Sequence, residues 1–219
     1  MTGRHEKDAV SKAAASQAAR SQSRGPYAKT GLVKARIVDA AFQTFSRSGY
    51  NRGSLREVAR RAGLSEAGLL HHFASKSELL IAVLQYRDDH ARETFALAPE
   101  SGRRALEELL RLAEYNFTVP GVVELFTTLA AEATQPDHPA FHYFKRRYES
   151  VRAGLASTLR HIETQGQLRG HVDPDIAAPQ IVALWDGMQI QWLLNREAVS
   201  VPEHLRAYLN TLLTVHLDR

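Results

Sequence analysis

Ser54, Glu57, Ser65, Ser75 and Glu78 carry hydroxyls and carboxylates at spacings that suit hydrogen bonding to free backbone amides, a chemistry of recognition more than of bond breaking. Ser54 and Glu57 stand three residues apart, as do Ser75 and Glu78, so each pair is predicted to form a reciprocal capping box at a helix start. Ser65 is placed to cap a further helix. Other reactive groups are scattered. His138 and His142, with Glu132 close in sequence, invite a metal reading, but Pro139 interrupts a shared helical face and no third ligand is fixed by spacing. Loop and helix-start histidines are the competing account. No phosphate-cradling glycine loop, nucleophile elbow or HExxH pattern occurs, so neither an enzyme nor a cofactor is expected.

The elements that position these groups are helical. Between the two serine–glutamate pairs, Leu55, Val58 and Ala59 form one apolar face, and Gly63 supplies a residue that takes positive φ at a sharp turn. Two short helices joined by a glycine turn, with a third following at once, make a helix-turn-helix, a DNA-reading module. Upstream, Val33, Ile37, Ala41 and Phe45 recur every four residues and predict a bracing helix over about Gly31–Ser48, with Gly49 as its stop. Residues 1–30 are rich in Ala, Ser, Gln and Arg and read as a flexible basic arm, either adding phosphate contacts or serving as an inert leader.

Charge supports the DNA reading. The net charge of +4 divides unevenly, with +8 in residues 1–80 and −4 in the remaining 139. The basic half coincides with the helix-turn-helix, and phosphate is the partner it suits. The absence of cysteine excludes disulfides, thiolate metal sites and cysteine nucleophiles. No apolar run approaches the roughly 18 residues that span a bilayer, and no secretory signal is present. A cytoplasmic, nucleoid-associated protein without membrane contact is expected.

The run ARIVDAAFQTFSRSGYNRGSLREVARRAGLSEAGLLHHFASKSELL resembles the TetR family of bacterial transcriptional regulators across residues 31–91. The resemblance implies an all-α protein. A three-helix DNA-binding domain over 31–91 would follow the 1–30 arm and precede a helical regulatory and dimerisation domain over 92–219. It places Ser54 near a phosphate, Ser65 to His72 on the recognition helix in the major groove, and Lys76 on a phosphate at the start of the fourth helix. Val58, Leu64 and Phe73 would be core. The chain departs from the family at Leu70, where a tyrosine is usual, so a contact through that hydroxyl is lost. His71 and His72 remain as donors and Glu66 as an acceptor, while Ala67 and Gly68 suit close approach. His72 beside Phe73 also fits a packing role.

Beyond residue 80 the pattern is helix after helix, broken at Pro and Gly clusters. Phe141, Phe144, Tyr148, Val151, Leu155, Thr158 and Ile162 mark a long central helix with one buried seam. The blocks PGVVELFTTLAAEATQPDHPAFHYFKRRYESVR and ALWDGMQIQWLL resemble a BetI-related TetR subgroup. That resemblance implies a homodimer built from the last two helices, roughly Pro174–Asn195 and Pro202–Leu217, with Ile181, Trp192, Leu205, Tyr208, Leu209 and Leu212 at the interface. It also implies control by an unidentified small molecule, whose arrival tilts the fourth helix, about Lys76–Leu97, and releases double-stranded DNA at a pseudo-palindromic operator. Phe117, Phe126, Leu129, Trp185, Met188 and Gln189 are candidate lining residues, with Asp186 and Glu132 as polar anchors; ordinary core or dimer packing is the alternative for each. Trp185, Trp192 and Phe117 could build an aromatic cage for a choline-type cation, yet fit packing equally well. A constitutive or protein-partner-controlled regulator without an inducer is the other functional reading.

Overall fold

The computed structural model describes residues 25–218, and within them the chain is nine α-helices and one 3-10 turn. Helix α1 spans Gly25–Arg52 and is kinked at Gly49, whose φ of 72° no helix tolerates. The expected stop is therefore a bend, after which one more turn carries Tyr50 and Asn51. Ile37, Ala41 and Phe45 are fully buried on its inner face, as their spacing predicts. Of the proposed arm, residues 1–24 lie outside the described residues and 25–30 belong to α1.

Helices α2 (Leu55–Arg61), α3 (Glu66–His72) and α4 (Lys76–Phe95) follow with the expected caps. Ser54, Ser65 and Ser75 accept from the amides of Glu57, Gly68 and Glu78, each at 3.1 Å. The return halves of the capping boxes differ from expectation. Glu57 turns away to Arg61 at 3.1 Å, and Glu78 accepts from the amide of Ala74 at 2.8 Å, one residue before the cap. A carboxylate with a cation one turn ahead takes the ion pair; one without such a cation takes the free amide. Gly63 has φ 67° in the turn, where Leu64 donates to the carbonyl of Ala59 at 2.9 Å.

Five further helices build the second half: α5 (Arg103–Thr118), α6 (Pro120–Glu132), α7 (Phe141–Thr164), α8 (Pro174–Leu194) and α9 (Val201–Leu212). The 3-10 turn Pro99–Ser101 links α4 to α5. An isolated antiparallel bridge joins Leu168 to Leu213 beside the α7–α8 connection. No helix among the described residues is long and apolar enough to cross a membrane.

The two halves do not have separate cores. One continuous apolar cluster joins Ile37, Phe45, Val58 and Leu80 of the first half to Val122, Leu125, Leu129 and Phe144 of α6 and α7. A second cluster, around Leu106, Leu159, Ile181, Leu205 and Leu209, holds α5, α7, α8 and α9 together. Along α7 the predicted seam is uneven: Phe144, Thr158 and Ile162 are buried, whereas Tyr148, Val151 and Leu155 are half-buried and face an internal cavity.

Candidate nucleic-acid interface and internal cavity

Helix α3 buries Leu69 completely and holds its opposite side outward. Glu66, Ala67, Leu70 and His71 are exposed on that side, with Ser65 exposed at the cap. Gly68 is packed more closely, since a β-carbon there would lie 3.3 Å from the Ser65 hydroxyl oxygen. His72 is half-buried, its ring 5.5 Å from that of His71 and edge-on to it. The small side chains at Ala67 and Gly68, flanked by a carboxylate and imidazoles, leave a low surface with donors and an acceptor suited to a major groove.

Lys76 lies at the first turn of α4, where Nζ donates to the Asn51 carbonyl at 3.2 Å and sits 4.6 Å from the Tyr50 ring centroid. Partial burial pushes its pKa down from the ordinary lysine value. The side chain thus fastens the end of α1 to the start of α4, and its ammonium keeps further donors for a phosphate. Arg52, Arg56 and Arg60 are exposed, and among the described residues none of them makes an ion pair. Arg56 and Arg60 stand four apart on α2 and so share one face, a signal that their spacing alone carries.

The cavity has a volume of about 670 Å³ and is bounded by α4, α5, α6, α7 and α8. Of the candidate lining residues, Phe126, Trp185, Asp186 and Gln189 reach it. Four do not. Phe117 packs on Trp192 with ring centroids 4.9 Å apart, Met188 joins Val123, Trp192 and Val201 in a small satellite core, and Leu129 is 1% exposed in the core shared with α1. Glu132 faces the α6–α7 connection, 3.9 Å from Nε2 of His138. The reason is helical phase: Trp185, Asp186 and Gln189 share the face of α8 turned to α7, and Met188 and Trp192 share the next one. The aromatic cage therefore does not assemble.

Charged residues that the sequence reading did not single out also line the cavity. Asp88 of α4 is bracketed by two guanidinium groups and a phenol. Arg147 Nε lies 3.1 Å from both its oxygens, Arg87 Nη1 is 3.4 Å from Oδ1, and the Tyr143 hydroxyl donates to Oδ2. Arg87 and Arg147 lie against Phe126, 4.5 and 5.8 Å from its centroid. Burial pushes Arg87 down from its ordinary pKa, and the like charge of Arg147 adds to the effect. Burial, then Asp88, drives Tyr143 well above the ordinary phenol range. Across the cavity Asp186 accepts from the Tyr148 hydroxyl at 2.7 Å. Burial pushes Asp186 up, against the opposing pull of that hydrogen bond.

Most of the residues expected at a dimer interface lie inside the single chain. Ile181, Trp192, Leu205, Leu209 and Leu212 are each at most 7% exposed within a single chain, so their area is already used inside the monomer. Tyr208 donates to Gln180 at 2.8 Å, joining α9 to α8. What α8 leaves outside is a different stripe: Ile176, Ala183, Ile190 and Leu194 are exposed, with Gly187 partly so among them, and Ile190 also lines the cavity. His138 accepts from the Ala140 amide at 3.1 Å, and no group of three His, Asp or Glu among the described residues is arranged to hold a metal ion.

These features have counterparts in known proteins. Residues 37–83 match the family profile described as bacterial regulatory proteins, tetR family, and residues 100–215 match that of the BetI-type transcriptional repressor, C-terminal. The chain is similar to the HTH-type transcriptional regulator TtgR of Pseudomonas putida, 25% identical over 193 residues covering 81% of this chain and 88% of that protein. It is also similar to the HTH-type transcriptional regulator PksA of Bacillus subtilis, 22% identical over 168 residues, 74% of this chain and 79% of that one. A transcriptional regulator from Saccharomonospora viridis, solved in complex with choline, superposes with a TM-score of 0.69 at 25% identity, covering 84% of this chain and all (100%) of the other. A TetR transcription regulator from Haloarcula marismortui shares the fold with a TM-score of 0.74 at 17% identity over 84% and 100% of the two chains.

Proposed function

The chain belongs to the TetR family of bacterial transcriptional regulators, and from that premise we propose that it is a homodimeric repressor released from its operator by a small molecule held in the cavity. The observation that carries this reading is the course of α4. Its first residue, Lys76, is fastened to the DNA-binding helices, and Arg87, Asp88, Ala91 and Arg92 of the same helix line the cavity wall. A ligand that displaces this wall moves the recognition helix through one rigid element. Only a few kcal/mol of preference for the displaced state are needed to shift operator occupancy strongly, and DNA then weakens ligand binding by the same factor.

The second copy is assigned to the outer stripe of α8. Ile176, Ile190 and Leu194 are 59%, 47% and 83% exposed, and a β-carbon added at Gly187 would meet nothing within 4 Å. Large apolar side chains around small ones let two copies of the helix cross closely. Such a dimer presents two α3 helices to successive major grooves, about 34 Å apart or a larger helical repeat. Selection of bound sequences from random duplex DNA at controlled salt, followed by footprinting, tests the reading. A symmetric motif with half-sites a helical repeat apart is the expected result; absence of enrichment overturns it and favours a partner-dependent regulator.

A further inference from the structure

The cavity wall contains an unbalanced charge. Among the described residues Asp88 is the only carboxylate paired with Arg87 and Arg147, and both its oxygens are already engaged by Arg147, Arg87 and Tyr143. Two cations thus share one saturated anion, with side chains only 12% and 23% exposed. Arg147 engages Asp88 through Nε alone, so both its Nη groups keep unused donors, and Arg87 uses a single Nη at 3.4 Å. Buried cations short of an anion are costly, and a second carboxylate entering this corner would relieve the cost. Arg92, the third guanidinium on the wall, is already paired with Asp89. Asp186 is bonded to Tyr148 and, although the charge of Arg147 reaches it, forms no ion pair with either arginine among the described residues.

We propose that the ligand is an amphipathic organic acid whose carboxylate binds in the corner formed by Arg87 and Arg147, with its apolar body against Leu109, Val151, Leu155 and Trp185. Guanidinium forks match a carboxylate geometrically as well as electrically. Gln189 adds a further polar point: it is 8% exposed, lines the cavity, and its side-chain amide makes no hydrogen bond among the described residues. A permanent cation of the choline type would meet two guanidinium groups and no cage, since Phe117 and Trp192 are packed on each other elsewhere.

The assignment rests on the ligand-sensing reading above, and its test separates the two. Full-length protein is titrated calorimetrically with decanoate, decanol and decyltrimethylammonium, whose shared tail leaves the head group as the variable. Decanoate is expected to bind at least about tenfold more tightly than the other two, with Arg87→Met abolishing the preference and Asp186→Asn, which removes the opposing charge, strengthening it. Preference for decanol or the ammonium head overturns the acid assignment and leaves ligand sensing in place. Decanoate binding without any loss of operator affinity keeps the assignment and overturns the release mechanism. Failure of all three probes to bind overturns both.

Discussion

Gly121 lies so close to Ser46 that a β-carbon at position 121 would sit 2.1 Å from the Ser46 carbonyl oxygen. This contact joins the first turn of α6 to α1, so the regulatory half touches the DNA-binding half backbone to side-chain-free backbone. Gly121→Ala must push α6 off α1. A loss of about 1–3 kcal/mol in urea-induced unfolding is expected, the usual cost of overfilling a packed site. Weaker operator binding should accompany it, although every recognition side chain is unchanged. An alanine variant as stable as the parent would contradict the contact.

Asp88 neutralises part of a buried cationic pair and holds α4 to α7. Removing it as Asp88→Ala leaves two guanidinium groups facing each other without an anion. The expected destabilisation is about 3–5 kcal/mol, that of breaking a buried ion pair from one side. Equilibrium denaturation measures it. A change under about 1 kcal/mol would indicate that solvent already screens the pair.

Asp186 has its pKa raised by burial, so the folded protein binds its proton more tightly than the unfolded chain does. Stability from this group is therefore greatest at low pH and is lost as pH rises from the ordinary carboxylate range through the raised folded value. Asp186→Asn keeps a partner for Tyr148 and removes the buried charge. Its melting temperature should exceed the parent's at neutral pH by roughly 2–4 °C per kcal/mol gained. The gain should shrink as pH falls through the raised value, and a pH-independent gain would refute this cause.

On the proposed DNA face two residues are expected to separate by role. His71 is exposed on the outer side of α3, and Lys76 is seated on Asn51 and Tyr50. His71→Ala is expected to reduce discrimination between operator and random DNA with little change in salt dependence. Lys76→Ala is expected to weaken binding to every sequence and to flatten the salt dependence by about one phosphate contact. It should also lower stability modestly, because the clamp to α1 goes with it. Equal loss of sequence preference in both variants would contradict these roles.

The outer stripe of α8 supplies the last test. Placing charge in its middle and end, as Ile190→Glu with Leu194→Glu, should give a folded monomer by light scattering with operator affinity reduced by at least about a hundredfold, because paired half-site binding is lost. Dimer persistence in this variant would move the interface to another face.

The helix-turn-helix was legible because its determinants are local. Caps at Ser54, Ser65 and Ser75, and the turn at Gly63, depend on residues three or four apart. The second half was legible as helices but not as faces. Helix α8 is apolar nearly all round, so its sequence does not mark which side meets α7, which meets α9 and which lies outside. Met188 and Trp192 therefore read from sequence as cavity and dimer residues, whereas they occupy a satellite core. The Arg87, Asp88 and Arg147 cluster was invisible for another reason: it joins residues 59 positions apart, and each alone reads as a solvated surface charge.

The apolar cluster that runs from Ile37 and Val58 through Leu80 into Leu125 and Phe144 makes the DNA-binding helices part of a single cooperative body. They are not a detachable reading head. Grafting this recognition helix set onto another regulator would require carrying the inner faces of α6 and α7 with it, and a cut between α4 and α5 would turn the core of the first three helices into a sticky surface.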